Sequence, residues 1–432
     1  MKYYSTKKTV LPVDLKHAVT KGLADDNGLF MPETIGTFDK SFFEKIEELS
    51  FGEISYEVAK KFFGDDIEED KLREIVFDTL SFDCPVVPIQ KSIYSLELFH
   101  GPTLAFKDVG ARFMARLLGY FLGNSDQLVN ILVATSGDTG SAVANGFLGV
   151  PGIHVYVLYP KGKVSDIQES QFTTLGRNIT ALEIDGTFDD CQRLVKSAFL
   201  DRELNSVLTL TSANSINVAR FLPQSFYYFN AYARNPHKDK ELVISVPSGN
   251  FGNLTAGLFA KRMGLPVSKF IAANNRNDIV YKYLKTGNYN PAPSVQTLAN
   301  AMDVGDPSNF VRILDLYGHS HEAISADIVG YRYTDDQIRE TIKRVYDQCG
   351  YLLDPHGACG YQSLEEYLSP GQTGIFLETA HPAKFTETVE RIIGKGNVPL
   401  PDKLAAFMQG TKQSIALDKE FETFKAFLWS EK

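Results

Sequence analysis

Cysteine is scarce in this sequence, and the few that occur are not paired by spacing. Cys84, Cys191, Cys349 and Cys359 are the four in 432 residues. No two form Cys-x-x-Cys, and no cysteine–histidine cluster has zinc-finger spacing, so that kind of metal site is excluded and no metal is expected. Free thiols in a reducing compartment are the expectation. Positive charge is short as well. Lys and Arg number 44 against 53 Asp and Glu, a net charge of −9, whereas a nucleic-acid surface needs a basic footprint. No window approaches the roughly 20 continuous apolar residues that span a bilayer. The opening MKYYSTKKTVLPVDL lacks the apolar stretch of a secretory signal. The expectation is a cytoplasmic protein with neither a membrane nor a nucleic-acid partner. Several enzyme signatures are also missing: the Walker A loop, the Rossmann fingerprint, the Gly-x-Ser-x-Gly elbow and His-Glu-x-x-His.

What is present is a large α/β chain. Its 432 residues exceed the roughly 250–300 at which a single core stops growing, which predicts two lobes and an N-terminal piece. Residues 1–95 read as an N-terminal helical and mixed segment. DKSFFEKIEELSFGEISYEVAKKFF carries Phe42, Ile46, Leu49, Ile54, Val58 and Phe62 at helical spacing, and FGDDIEEDKLREIVFDTL reads likewise. Residues 96–220 form a first αβ series, the small lobe. A helix is predicted over 107–122, with strands over 129–135, 154–159, 180–184 and 207–211. Residues 221–432 form the second series, the large lobe, with strands near 242–246, 269–274 and 374–379 and a helical tail from 382. Between 275 and 309 lies an irregular stretch rich in Asn, Pro and Gly, of the kind that often covers a site. Two open αβα sheets place a ligand between the lobes, at strand C-terminal ends.

Four loops follow predicted strands. ATSGDTGSA (134–142) offers hydroxyls on Ser136, Thr139 and Ser141 and one carboxylate, Asp138; alone, it also reads as a Ser/Thr-rich helix cap. VPSGNFGNLTAG (246–257) feeds a glycine-rich turn into a helix N-terminus, a ready anion site, although a glycine-rich turn without a ligand fits equally. TSANSINVAR (211–220) carries Asn214, Ser215 and Arg220, whose fork suits phosphate or carboxylate. FLETAHPAKF (376–385) holds Thr379 and His381. His381 and His356 read first as structural histidines.

The one nucleophile in unusual company is Lys107, in LFHGPTLAFKDVGARF. An amine normally has a pKa of about 10.4 and is protonated. At a helix N-terminus in apolar surroundings the ammonium is disfavoured and the free amine can react. An amine for an aldehyde, with a phosphate cradle elsewhere, is what pyridoxal phosphate requires.

Six segments, in order, resemble one family: YYSTKK with GLADDNGLFMPE, FHGPTLAFKD, TSGDTGSA, PSGNFGN, TLANAMDVGDPSN and LETAHPAKF. The chain resembles the threonine synthases of the bacterial and fungal type, pyridoxal 5'-phosphate enzymes of the tryptophan-synthase-β-like fold (fold type II). The resemblance implies that Lys107 binds the cofactor's aldehyde. It implies that Gly249, Asn250, Phe251, Gly252 and Asn253 cup its phosphate and that Thr379 faces its ring nitrogen. Asp138 matches a position near the cofactor's O3′ where relatives often place Asn. Asn214, Ser215 and Arg220 match residues that grip the phosphate of O-phospho-L-homoserine, joined by Thr139, with Ser136 at the substrate carboxylate. The implied reaction, the last step of threonine biosynthesis, turns O-phospho-L-homoserine and water into L-threonine and phosphate. A phospho-lyase or a Ser/Thr dehydratase giving a 2-oxo acid is the alternative. A monomer or small homo-oligomer is expected.

Overall fold

The structure, a computed structural model, describes residues 1–123 and 128–431. Runs rich in Val, Ile and Leu form two parallel sheets, as β-branched residues favour. The smaller sheet runs Ile415–Leu417, Ile179–Ile184, Ile153–Pro160, Val129–Ala134, Thr209–Ser212, all parallel. The larger runs Ile328–Arg332, Lys269–Asn274, Glu241–Pro247, Gln372–Glu378, Ile93–Glu97, Val86–Gln90. Only its last strand is antiparallel. A small antiparallel sheet, Val13–Asp14, Lys2–Ser5 and Phe30–Pro32, belongs to the N-terminal segment.

Both large sheets send the C-terminal ends of their central strands toward one cavity. Val129–Ala134 is buried along its whole length, and Glu241–Pro247 is buried beyond its first residue. The helix Lys107–Leu122 packs beside Asp138–Phe147. Its Phe113, Met114, Leu117 and Leu118 are fully buried. Each such side chain contributes about 1.5–3 kcal/mol relative to exposure. The helix that begins with Lys107 is therefore fixed along its length.

The chain departs from the expected division in two places, and from the expected helices in two more. Val86–Gln90 and Ile93–Glu97 are strands of the larger sheet, so residues before 96 do not stop at an N-terminal segment. Residues after 221 do not all stay with the larger sheet: Ile415–Leu417 pairs with Leu182–Ile184 of the smaller, and Phe421–Ser430 packs on Phe188–Leu200. The helical pattern of 40–63 is broken at Ser50, whose hydroxyl caps Glu53 N–H while the Glu53 carboxylate returns to the Ser50 amide. That capping box starts a new helix, Phe51–Phe63, because a mutual cap competes with continuing the previous turn. The irregular stretch also holds a helix, Ile279–Thr286. Among the described residues no helix is long and apolar enough to cross a membrane.

Candidate active site

Loops from both sheets enclose a cavity of about 640 Å3. Lys107, Ser136, Thr139, Asn214, Ser215, Arg220, Gly249–Asn253 and Thr379 all line it. Four loops far apart in sequence thus meet at the ends of parallel strands, where open α/β sheets bind ligands.

Lys107 is the first residue of its helix. The segment ahead of it is tied to the end of the strand Gln372–Glu378. Phe106 N–H donates to the Thr379 carbonyl at 2.9 Å, His381 N–H to the Leu104 carbonyl at 3.0 Å, and Ala105 forms a bridge with Ala380. Tyr227 donates its hydroxyl to the Phe106 carbonyl. The Lys107 ammonium donates to Thr139 Oγ1 at 2.9 Å. Its pKa is lowered to about 8: burial disfavours the charge, Asp138 opposes the shift, and Arg220 and Lys384 add to it. A free amine is therefore accessible near neutral pH, at the cavity wall.

Opposite it, the loop after Glu241–Pro247 turns into the helix Gly252–Arg262. The turn is made by Phe251 in the left-handed region, φ 61°, a strained conformation for a residue with a side chain. The first-turn amides have no acceptor within their own helix, and the helix dipole adds positive potential there. Gly249 allows close approach: a Cβ there would stand 2.7 Å from Met302 Cα and 2.9 Å from the Ala301 carbonyl oxygen. The arrangement is suited to a phosphate.

Arg220 is buried, and its backbone reaches the lysine helix because Gly110 has no side chain. A Cβ on Gly110 would come within 2.5 Å of the Arg220 carbonyl. One guanidinium nitrogen donates to the Ala213 carbonyl, while Nε has no hydrogen-bond partner among the described residues. Asn214 Oδ1 and Asn253 Nδ2 are likewise buried without partners. Three unpaired polar atoms around one cavity are costly unless a polar ligand satisfies them. Ser215 Oγ accepts from Asn250 Nδ2 at 3.1 Å and from Asn309 Nδ2 at 3.0 Å, so its hydroxyl joins two loops.

Some site residues were not read from the sequence. Arg312 is fully buried and donates to the carbonyls of Phe30, Ser215 and Ile216 and to Asn309 Oδ1. It stitches the N-terminal segment to the Arg220 loop. Asn309 closes on Asn250, donating to its carbonyl from both amide groups. Lys163 and Gln192 line the mouth. The TLANAMDVGDPSN motif quoted above contains Asn309, but nothing in it marked the side chain for this role.

Asp138 departs from its expected position. It opens the helix Asp138–Phe147 but does not line the cavity. Its carboxylate pairs with buried Lys384 at 2.7 Å and accepts from Gln168 Nε2 at 2.8 Å. Burial opposes its ionisation, yet Lys384 and Lys107 outweigh that and hold its pKa well below the usual range. His356 lines the cavity but accepts the Ala301 amide at Nε2 (3.2 Å) and meets Asp354 at Nδ1 (3.0 Å), which fastens the covering loop. His381 accepts the Ala383 amide at Nδ1, and burial, then His100, lowers its pKa to about 4. Among the described residues no group of three or more His, Cys, Asp or Glu is arranged for a metal.

The chain matches the family described as pyridoxal-phosphate dependent enzyme over residues 85–377. Threonine synthase N terminus matches residues 2–80, and threonine synthase, C-terminal, matches 357–428. It is 47% identical to the threonine synthase of Escherichia coli (strain K12), over 94% of each chain. The chain belongs to the threonine synthase family. The crystal structure of threonine synthase from Escherichia coli superposes with a TM-score of 0.93 at 44% identity, covering all of both chains. A pyridoxal-phosphate-bound threonine synthase from Brucella melitensis superposes at 0.92 with 36% identity, covering 99% of this chain and 98% of that one. As a threonine synthase family member the chain is a pyridoxal-phosphate-dependent lyase of fold type II, and threonine formation is its activity.

Proposed function

We propose that this enzyme acts on O-phospho-L-homoserine, with Lys107 as its working amine, the 249–253 loop as the cofactor's phosphate cup and the Arg220 loop as the substrate-phosphate grip. The single observation that carries the reading is the meeting of a deprotonatable amine and two separate anion sites in one cavity. One phosphate belongs to the cofactor and the other to the substrate. Gly249–Asn253 would hold the first on backbone N–H groups, and Thr379 would present its hydroxyl to the cofactor's ring. When bound, pyridoxal phosphate supplies an electron sink for negative charge developed beside the amino-bearing carbon.

The chain's residues supply the rest. Lys107, oriented by Thr139, takes the proton from Cα as a base, gives that proton up, and only then takes one from Cβ. Arg220 and Asn214 hold the phosphate as it leaves Cγ with the bonding pair, so developing charge meets fixed donors. A proton then returns to Cγ, water adds at Cβ, and Lys107 returns a proton to Cα. The covering residues around Ala301 and Met302, fastened by His356, keep water out until phosphate has left.

Product analysis tests the reaction. The purified protein supplied with O-phospho-L-homoserine is expected to release L-threonine and phosphate in equal amounts. 2-Oxobutyrate with ammonia would assign the lyase alternative instead. A second expectation concerns the cup. Gly249→Ala forces Cβ against the Met302 backbone, so cofactor affinity is expected to fall about 100-fold, as a displacement near 1 Å costs. Fluorescence titration of the stripped protein checks it, with circular dichroism showing an intact fold. The four cysteines are free, three of them buried, which suits the reducing cytoplasm.

A further inference from the structure

We propose that Lys384 is a positioning residue for Lys107: its ion pair with Asp138, made between segments of the two sheets, sets the charge balance at the working amine. The pair is built rather than incidental. Lys384 follows the last strand of the larger sheet, and Asp138 opens a helix on the smaller one. Their side chains are 0% and 4% exposed, and Nζ to Oδ1 is 2.7 Å.

Lys384 Nζ also donates to the Thr103 carbonyl at 2.8 Å, which Gln171 Nε2 meets at 3.0 Å. Thr103 in turn fixes Asp108, the neighbour of Lys107, through its hydroxyl (2.5 Å) and its amide (2.9 Å). One ammonium thus joins the end of a strand, the helix of Asp138 and the turn that delivers Lys107.

The charged groups facing Lys107 are Asp138, Arg220 and Lys384. Those facing Lys384 include Asp138, Asp108 and His381. Inside the protein such charges act strongly because solvent does not screen them. With both partners present, the negative charge of Asp138 and the positive charge of Lys384 oppose each other at the amine, Asp138 acting the more strongly. Removing Lys384 alone leaves a carboxylate that favours the ammonium form of Lys107. Removing the charge of Asp138 alone leaves a second cation that favours the free amine. A purely structural clasp predicts loosening in both variants, without opposite signs.

The proposal rests on the reading of Lys107 as the working amine, and the experiment separates the two. The cofactor-stripped protein is labelled with an amine-acylating reagent over a range of pH, and the Lys107 peptide is quantified by mass spectrometry. In wild type, reloading pyridoxal phosphate should protect that peptide; absence of protection refutes the reading of Lys107 itself. Lys384→Met is expected to raise the labelling midpoint by about one pH unit or more, and Asp138→Asn to lower it similarly. The double variant is expected to have a midpoint between those of the two single variants. In the reloaded proteins, the pH dependence of the visible cofactor band should move in the same opposite senses. Shifts of one sign in both single variants, or no shift, overturn the proposal, as does a double variant whose midpoint lies outside the interval between the two singles. Should Lys384→Met fail to fold, Asp138→Asn still decides the sign, and Lys384→Arg, which keeps the charge, must leave the midpoint within a few tenths of a unit.

Discussion

Lys107→Ala is expected to lower turnover by at least about 10^4-fold, because the proposed mechanism gives one side chain both the covalent and the acid–base work. The fold should survive. Alanine is the best helix former, Lys107 opens its helix, and among the described residues its amine has one side-chain hydrogen-bond partner, Thr139. Thermal unfolding of the variant should therefore match wild type, and the visible band of the lysine-bound cofactor should vanish. The cofactor itself should still bind, more weakly, through the 249–253 loop. Added small amines are expected to restore a fraction of the rate, since they can replace a base but not its tether. Turnover within tenfold of wild type would remove Lys107 from the mechanism.

The second large effect is expected at Arg220. Its guanidinium is buried and tethered by the Ala213 carbonyl, and its Nε has no hydrogen-bond partner among the described residues, so a substrate phosphate would complete its hydrogen bonding. Losing one partner of a buried charge pair costs about 2–5 kcal/mol. Arg220→Gln should accordingly reduce kcat/KM for O-phospho-L-homoserine roughly 10^3-fold, at about 1.4 kcal/mol per tenfold. Arg220→Lys keeps the charge but loses the planar fork, so an intermediate loss is expected. Spectral binding of homoserine, which lacks the phosphate, should change less than about threefold in either variant. Equal losses with and without the phosphate would place Arg220 in support of the loop instead of the grip.

Much of this site was legible because its chemistry is local. A strand, a glycine-rich turn and a helix follow each other within PSGNFGN, and the proposed anion site is the turn itself. Lys107 was readable for the same reason: a lone lysine at a helix start, behind Ala105 and Phe106. Lys384 was not. It stands in LETAHPAKF like any surface lysine, and only the distant Asp138 reveals that it is buried. Arg312 was hidden likewise, because most of its partners are backbone carbonyls, which leave no mark on sequence.

The misread elements have physical reasons as well. VVPIQ carries Pro88, which cannot donate to a ladder and so reads poorly as a strand; it is the antiparallel edge, where proline is tolerated. The helix Pro355–Tyr367 contains Gly357 and Gly360, poor helix formers, and its burial compensates for their low propensity. Asp354 caps that helix and Pro355 opens it, a start signal that sat beside His356.

The strand Ile415–Leu417 has a consequence for how the protein is made. The ribosome delivers Ile179–Ile184 more than two hundred residues before its outer neighbour exists. Through that interval the smaller sheet presents an open row of backbone donors and acceptors, the kind of edge that invites pairing between chains. The smaller sheet is completed only once Ile415–Leu417 has been synthesised. A ribosome stalled near residue 410 would hold a chain with its site loops already encoded and an edge still able to recruit a neighbour. In the cell, that edge is where chaperone demand should concentrate.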